Sequence, residues 1–117
     1  MAEETSKEVR GLVIELLDNT AREDERHDAA MDLGEYDSDE AISALAKVAS
    51  DPNEEDIIVD SCAESMAEIW VRMNKFNEYL FKKLSPLAKN IISKLILSKN
   101  PTLIARVVKD QISNEMQ

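Results

Sequence analysis

Cysteine and histidine each occur only once in the 117 residues, as Cys62 and His27. That excludes a disulfide framework and any zinc centre built mainly from thiolates and imidazoles, and it fits a reducing, cytoplasmic setting. Glycine is almost as scarce, with Gly11 and Gly34 only. Phosphate-cradling loops of the dinucleotide or P-loop type need repeated glycines, so nucleotide-dependent chemistry has no place to sit. Long apolar runs are missing too. Residues 1–8 are polar and acidic with no apolar leader, and nowhere do about 18 apolar residues follow one another as a membrane span requires. A chain of this length can bury a real core, roughly two-thirds of its unfolded surface, as a single domain over 1–117.

Positive charge is in short supply and unevenly placed. Fourteen Lys and Arg face 24 Asp and Glu, a net charge of −10, which disfavours direct binding of nucleic-acid phosphates or anionic membrane and favours a cationic partner. Residues 1–71 hold 21 acids and 5 bases, net −16, whereas residues 72–117 hold 3 acids and 9 bases, net +6.

What is present is helical spacing. Val9, Leu12, Val13, Leu16 and Leu17 form one stripe of a helix, and no alternating strand pattern competes with it. Thr5 with Glu8, Thr20 with Glu23 and Asp37 with Glu40 read as capping boxes, while Ser85-Pro86 and Asn100-Pro101 each offer an N-cap followed by proline at the first helical position. These signals predict seven helices, at about 6–18, 21–35, 39–50, 54–73, 76–84, 86–98 and 101–114, joined by short links that make neighbours antiparallel. Residues 41–49 are apolar almost all round, which predicts a helix lying between two others. Residues 54–70 put Ile58, Cys62, Met66 and Ile69 on one side and acids on the other, so that helix shows one face to water.

Sliding the chain by 33 residues superimposes Ala30, Leu33, Gly34, Glu35 and Tyr36 on Ala63, Met66, Ala67, Glu68 and Ile69. A period of that length with two helices per unit is the mark of an α-solenoid. The stretch from Glu25 to Trp70 carries Ala29-Ala30 followed by Leu33-Gly34, an acidic turn, Ala41-Ile42 followed by Leu45, and then Asp51-Pro52. In this it resembles the short HEAT-like repeats. The resemblance covers about 46 of 117 residues and implies an all-α fold of antiparallel helical hairpins in a short right-handed stack, HEAT-like over about 20–75 and less regular over 76–117. It implies little about function, because such modules serve as scaffolds, adaptors, inhibitors and occasionally enzymes.

Two carboxylate ridges carry the functional expectation. Asp56, Asp60, Glu64 and Glu68 advance by four residues along one helix face, and Asp24, Asp28 and Asp32 do the same one repeat earlier. The link between them adds Glu35, Tyr36, Asp37 and Asp39. Each like-charge i, i+4 pair costs a helix roughly 0.2–0.5 kcal/mol, so three pairs on the longer ridge cost about 1 kcal/mol, which interleaved lysines would have avoided. Such ridges suit a basic partner, with Tyr36 and Trp70 as aromatic anchors beside them. They suit metal poorly: Asp37-x-Asp39 opens like a calcium loop but lacks its glycine and closing glutamate, and no Glu-x-x-His motif is present. The expectation is therefore no metal and no cofactor. His27 reads as a rim histidine paired with a neighbouring acid, Cys62 as a small core residue, and no pair of acids is singled out for catalysis. Trp70, Phe76, Tyr79 and Phe81 fall within 12 residues and read as the filling of an irregular corner. Lys89, Lys94 and Lys99 scatter around their helix by about 140° per step.

In size, acidity and helical class the chain resembles the small immunity proteins of bacterial toxin systems. That resemblance implies a protein-binding inhibitor that covers the groove of a cognate basic, nuclease-like toxin. A HEAT-like adaptor that binds a peptide or protein within a larger assembly is the alternative.

Overall fold

A computed structural model describes residues 2–105, and every element in it is helical. The helices are α1 (Ala2–Leu17), α2 (Glu23–Leu33), α3 (Asp39–Ala49), α4 (Asp56–Met73), α5 (Glu78–Lys83) and α6 (Pro86–Lys99). A seventh begins at residue 101 and is described to 105; the rest of the predicted 101–114 helix lies outside the described residues.

The chain folds as stacked helical hairpins in two layers. Arg26 reaches the carbonyl of Leu16 while Tyr36 reaches Glu8, so α1 and α2 run antiparallel. Across the next junction His27 meets Ser61, and Ser65 donates to the carbonyl of Ala30, so α2 and α4 run parallel at an offset of 34–35 residues. That offset lies within two residues of the 33-residue spacing noted in the sequence. α6 lies on the far side of α4, which puts α2, α4 and α6 in one layer, while α1 and α3 pack in the other. α3 is the enclosed helix: it packs on both α1 and α4, and of its 11 residues Ala41, Ile42, Ala44, Leu45, Ala46, Val48 and Ala49 are buried. One continuous apolar core runs from Val9 to Ile104.

Local starts and stops differ from the sequence signals in instructive ways. Thr5 lies inside α1 and is no cap. Both the amide and the hydroxyl of Thr20 donate to Asp18, and α2 begins three residues later, after Arg22, with no side-chain cap. At α3 the capping oxygen belongs to Ser38, which accepts from the amide of Ala41, and not to Asp37. Ser85 does cap α6, with Pro86 in the first turn, and Asn77 caps the short α5.

Gly34 closes α2 where α4 crosses it. A Cβ placed there would lie 2.7 Å from Ser65 Oγ and 3.0 Å from Ser65 Cβ, so the small residue is what lets the two helices meet. Arg72 of α4 completes the junction by donating to the carbonyl of Gly34 and to Asp37.

The layers are tied at one end by an ion pair that nothing in the sequence pattern marked. Arg26 is buried in α2, where its Nε donates to the carbonyl of Leu16. Its two terminal nitrogens grip both oxygens of Glu54 at 2.9 and 2.7 Å. At the other end Trp70, Phe76 and Phe81 fill the corner before α6, with centroids 5.0 and 5.2 Å apart. Tyr79, expected with them, instead stands 67% exposed beneath the ammonium of Lys83.

Candidate functional site

The outward faces of α2 and α4 form the acidic surface. Burial of Arg26, Ala29, Ala30 and Leu33 turns the other side of α2 outward, with Asp24, Asp28 and Asp32 exposed on it and Glu35 exposed just beyond its end. On α4 the buried set is Ile58, Cys62, Met66, Ile69 and their neighbours, and Asp60, Glu64 and Glu68 line the opposite face. Because the two helices are neighbours and parallel, both ridges belong to one surface.

The carboxylates differ in how far the fold neutralises them. Asp24 is paired with Arg22 at 3.0 Å and Asp37 with Arg72 at 2.6 Å, so these two are already compensated. Among the described residues, Asp28, Asp32, Glu35, Asp60, Glu64 and Glu68 have no cationic side chain within ion-pair distance. The strain shows at Glu64. Partial burial pushes its carboxyl above the usual range, a hydrogen bond with Asp60 and the charges of Asp60 and Glu68 push the same way, and only His27 opposes them.

Two sequence-predicted residues stand elsewhere. Asp39, in the first turn of α3, lines a separate groove, whereas Asp56, in the first turn of α4, continues the ridge four residues before Asp60 and also borders a groove of its own. Trp70 is a correction: it is 3% exposed, packed edge-on against Phe76, and forms part of the core instead of a surface anchor. Tyr36 is half-buried, and its hydroxyl donates to Glu8 at 2.6 Å. With the charges of Glu8, Glu35 and Asp32 around it, the phenol is held above its ordinary range, the Glu8 hydrogen bond being the largest cause.

His27 sits on the rim, as expected, but its partner is Ser61 of α4 and not an acid. Ser61 Oγ lies within hydrogen-bond reach of both His27 Nδ1 and the carbonyl of Ile57. A serine and a histidine in contact have the residue types of a nucleophile and its base. The serine is buried, and the contact joins α2 to α4. Burial drives the thiol of Cys62 up to about 12, which leaves it inert as a nucleophile. No group of three or more His, Cys, Asp or Glu side chains that could hold a metal ion occurs among the described residues, and no described helix is long and apolar enough to cross a membrane.

Sequence reasoning missed Glu8 and Gly11, which join Asp32, Glu35 and Tyr36 around a groove of about 460 Å³ between α1 and the end of α2. The only signal was a glycine inside a strong helical stripe. No family model, curated protein or solved structure matches the chain.

Proposed function

We propose that this protein is a stoichiometric inhibitor of a basic protein, of the immunity type: it covers the substrate groove of a cognate, nuclease-like toxin with the α2 and α4 face. The observation that carries the reading is the set of uncompensated carboxylates on two parallel, adjacent helices. A fold that leaves like charges unpaired at a cost to its own stability gains most from a partner that supplies the counter-charge. Carboxylates spaced along a rigid helix face can occupy the positions that phosphates take in a basic groove. Complementary charge also speeds encounter, towards about 10⁸ M⁻¹s⁻¹ or more at low salt, which suits an inhibitor that must act before its target does.

The test follows from the electrostatics. After affinity purification of the partner from the native cell at moderate salt, association is timed for the wild type and for Asp60→Lys/Glu64→Lys. The double variant is expected to bind more slowly and with a flatter ionic-strength dependence, and co-expression of wild type is expected to relieve the partner's toxicity. Unchanged kinetics would remove this face from the mechanism.

A second reading rests on a different observation, an open groove of about 690 Å³ at the corner where α4 meets α5. Its apolar lining includes Ile42, Met73, Phe76 and Leu80, with Asp39 and Lys75 at its rim. That groove suits an adaptor that takes an apolar peptide segment. A neutral or multimeric partner that ignores the Lys substitutions would favour it.

A further inference from the structure

We propose that α1 is a dimerisation face. Two copies of this chain pair through it in antiparallel register, Ile14 of each seated over Gly11 of the other and Lys7 of each beside Asp18 of the other. The contact uses residues that the acidic face of α2 and α4 does not, so it goes beyond the proposed function and leaves that face open.

α1 is the first helix of the stack. It packs on α2 and α3, and burial of Val9 and Leu16, with half-burial of Leu12 and Val13, fixes which side meets the core. The other side is exposed from Lys7 through Arg10, Gly11 and Ile14 to Leu17 and Asp18. The end of a helical stack in water calls for a polar outer face, yet Ile14 is 65% and Leu17 36% exposed there. Gly11 stands one turn before Ile14, and a Cβ on it would meet nothing within 4 Å. Bare backbone beside an exposed isoleucine lets another helix approach closely.

The charges on this face fit a second copy of itself. Two identical helices related by a twofold axis set residue i against j and j against i. Positions 7 and 18 lie symmetrically about the same midpoint as 11 and 14, so one antiparallel register makes both contacts, each of them twice. At about 100° per residue the four positions fall within about 60° of one another around the helix, so a single face carries them all. A parallel pair would instead set Lys7 on Lys7 and Asp18 on Asp18. Arg10 and Leu17 share one flank, and the twofold axis brings like flanks together, so each arginine stem covers the other copy's Leu17. Lys7, Arg10 and Asp18 are in no ion pair among the described residues. Thr20 donates twice to Asp18 Oδ1, and Oδ2 is the oxygen offered to the ammonium. Lys7 and Arg10 are also two of only five bases in residues 1–71, which makes α1 the face of this acidic half where a second copy meets least repulsion.

One helix face per copy lies at the small end of specific interfaces, so the dimer is expected to be half-formed at about 0.1 mM. Sedimentation equilibrium of the full chain at physiological salt is expected to show the mass rising from 13.2 kDa towards twice that value between about 5 µM and 1 mM. Ile14→Glu is expected to weaken association by about 30-fold or more, the loss typical of a binding hot spot. Lys7→Glu and Asp18→Lys are each expected to stay monomeric, because each sets like charges together twice in its own dimer. Their equimolar mixture is expected to associate, because both contacts of the mixed pair join opposite charges. Asp60→Lys/Glu64→Lys is expected to self-associate at least as strongly as the wild type. A wild type at the monomer mass throughout, an Ile14→Glu variant that associates like the wild type, or a mixture no heavier than its components overturns the proposal. Loss of association in the ridge variant would place the contact on α2 and α4 and overturn it as well. Should Asp18→Lys, which gives up the bonds from Thr20, lose its cooperative melt, Ile14→Glu decides alone, since a side chain so exposed is not needed for folding.

Discussion

At the scale of single residues, Glu54 and Cys62 each tie stability to pH. Arg26 and Glu54 form a two-pronged ion pair whose side chains are each 9% exposed. Removing one partner of such a pair strands the other's charge, so Glu54→Gln is expected to cost about 3–5 kcal/mol in urea unfolding at neutral pH. The hydrogen bonds from Arg26 hold the Glu54 carboxyl below its ordinary value of 4.5. The unfolded chain therefore takes up that proton first as pH falls. The stabilisation is complete above about 4.5 and is lost as pH drops through the depressed folded value, and Glu54→Gln is expected to lose this part of the acid slope. Cys62 acts at the other end of the scale. Its thiol ordinarily ionises near 9 but is pushed up to about 12 in the fold. Here the unfolded state gives up its proton first, so stability is unaffected below about 9 and falls as pH rises from there towards 12. Cys62→Ala is expected to unfold more easily at neutral pH, because it leaves a cavity, yet to show a shallower loss of stability above pH 9.

At the scale of elements, the two glycines predict opposite outcomes for one substitution. Gly34→Ala drives a methyl group against Ser65, whose hydroxyl is held by the carbonyl of Ala30, and is expected to cost about 1–3 kcal/mol. Gly11→Ala adds a better helix former facing open space and is expected to stabilise the free protein by about 0.4–1 kcal/mol in thermal or urea melts. The element pattern itself was legible in the sequence because the buried faces of α3 and α4 repeat at helical spacing, and because small residues recur 33 apart where α2 meets α4. Helix starts were less legible. A Ser, Thr or Asp before an acid satisfies the capping rule at several neighbouring positions, and local competition decides among them: Asp18 takes the hydroxyl of Thr20, and Ser38 displaces Asp37. The carboxylate ridges could be read from i+4 spacing alone, whereas their compensation could not. Arg22 neutralises Asp24 from two residues away, but Arg72 reaches Asp37 from 35 residues away, and Trp70 turns inward because Phe76 and Phe81 close over the corner. The α1 groove escaped detection for the same reason, since Glu8 and Tyr36 meet only when α1 and α2 fold back on each other.

At the scale of the whole molecule, stability and the proposed binding surface oppose one another. The three like-charge steps along Asp56, Asp60, Glu64 and Glu68 cost about 1 kcal/mol, a stability difference that shifts the Tm of a domain near this size by roughly 4 °C. Glu64 carries part of that cost. Its carboxyl is raised chiefly by burial, so the folded state holds a proton more tightly than the unfolded chain, and this group penalises the fold at neutral pH and less so as pH falls towards 4.5. Glu64→Gln is therefore expected to raise the Tm of the free protein while it slows association with a basic partner. Added salt separates the two effects without any mutation. Raising ionic strength well past about 0.1 M shortens the screening length below about 10 Å, which weakens repulsion along the ridges and attraction across the interface together. The free wild type is expected to melt at higher temperature as salt rises, the Glu64→Gln variant to respond less, and the complex to associate more slowly over the same range. A free protein whose Tm falls with salt would mean that its internal ion pairs, Arg26 with Glu54 foremost, outweigh the repulsion on the α2 and α4 face, and the face would then lose its claim to be held ready for a partner.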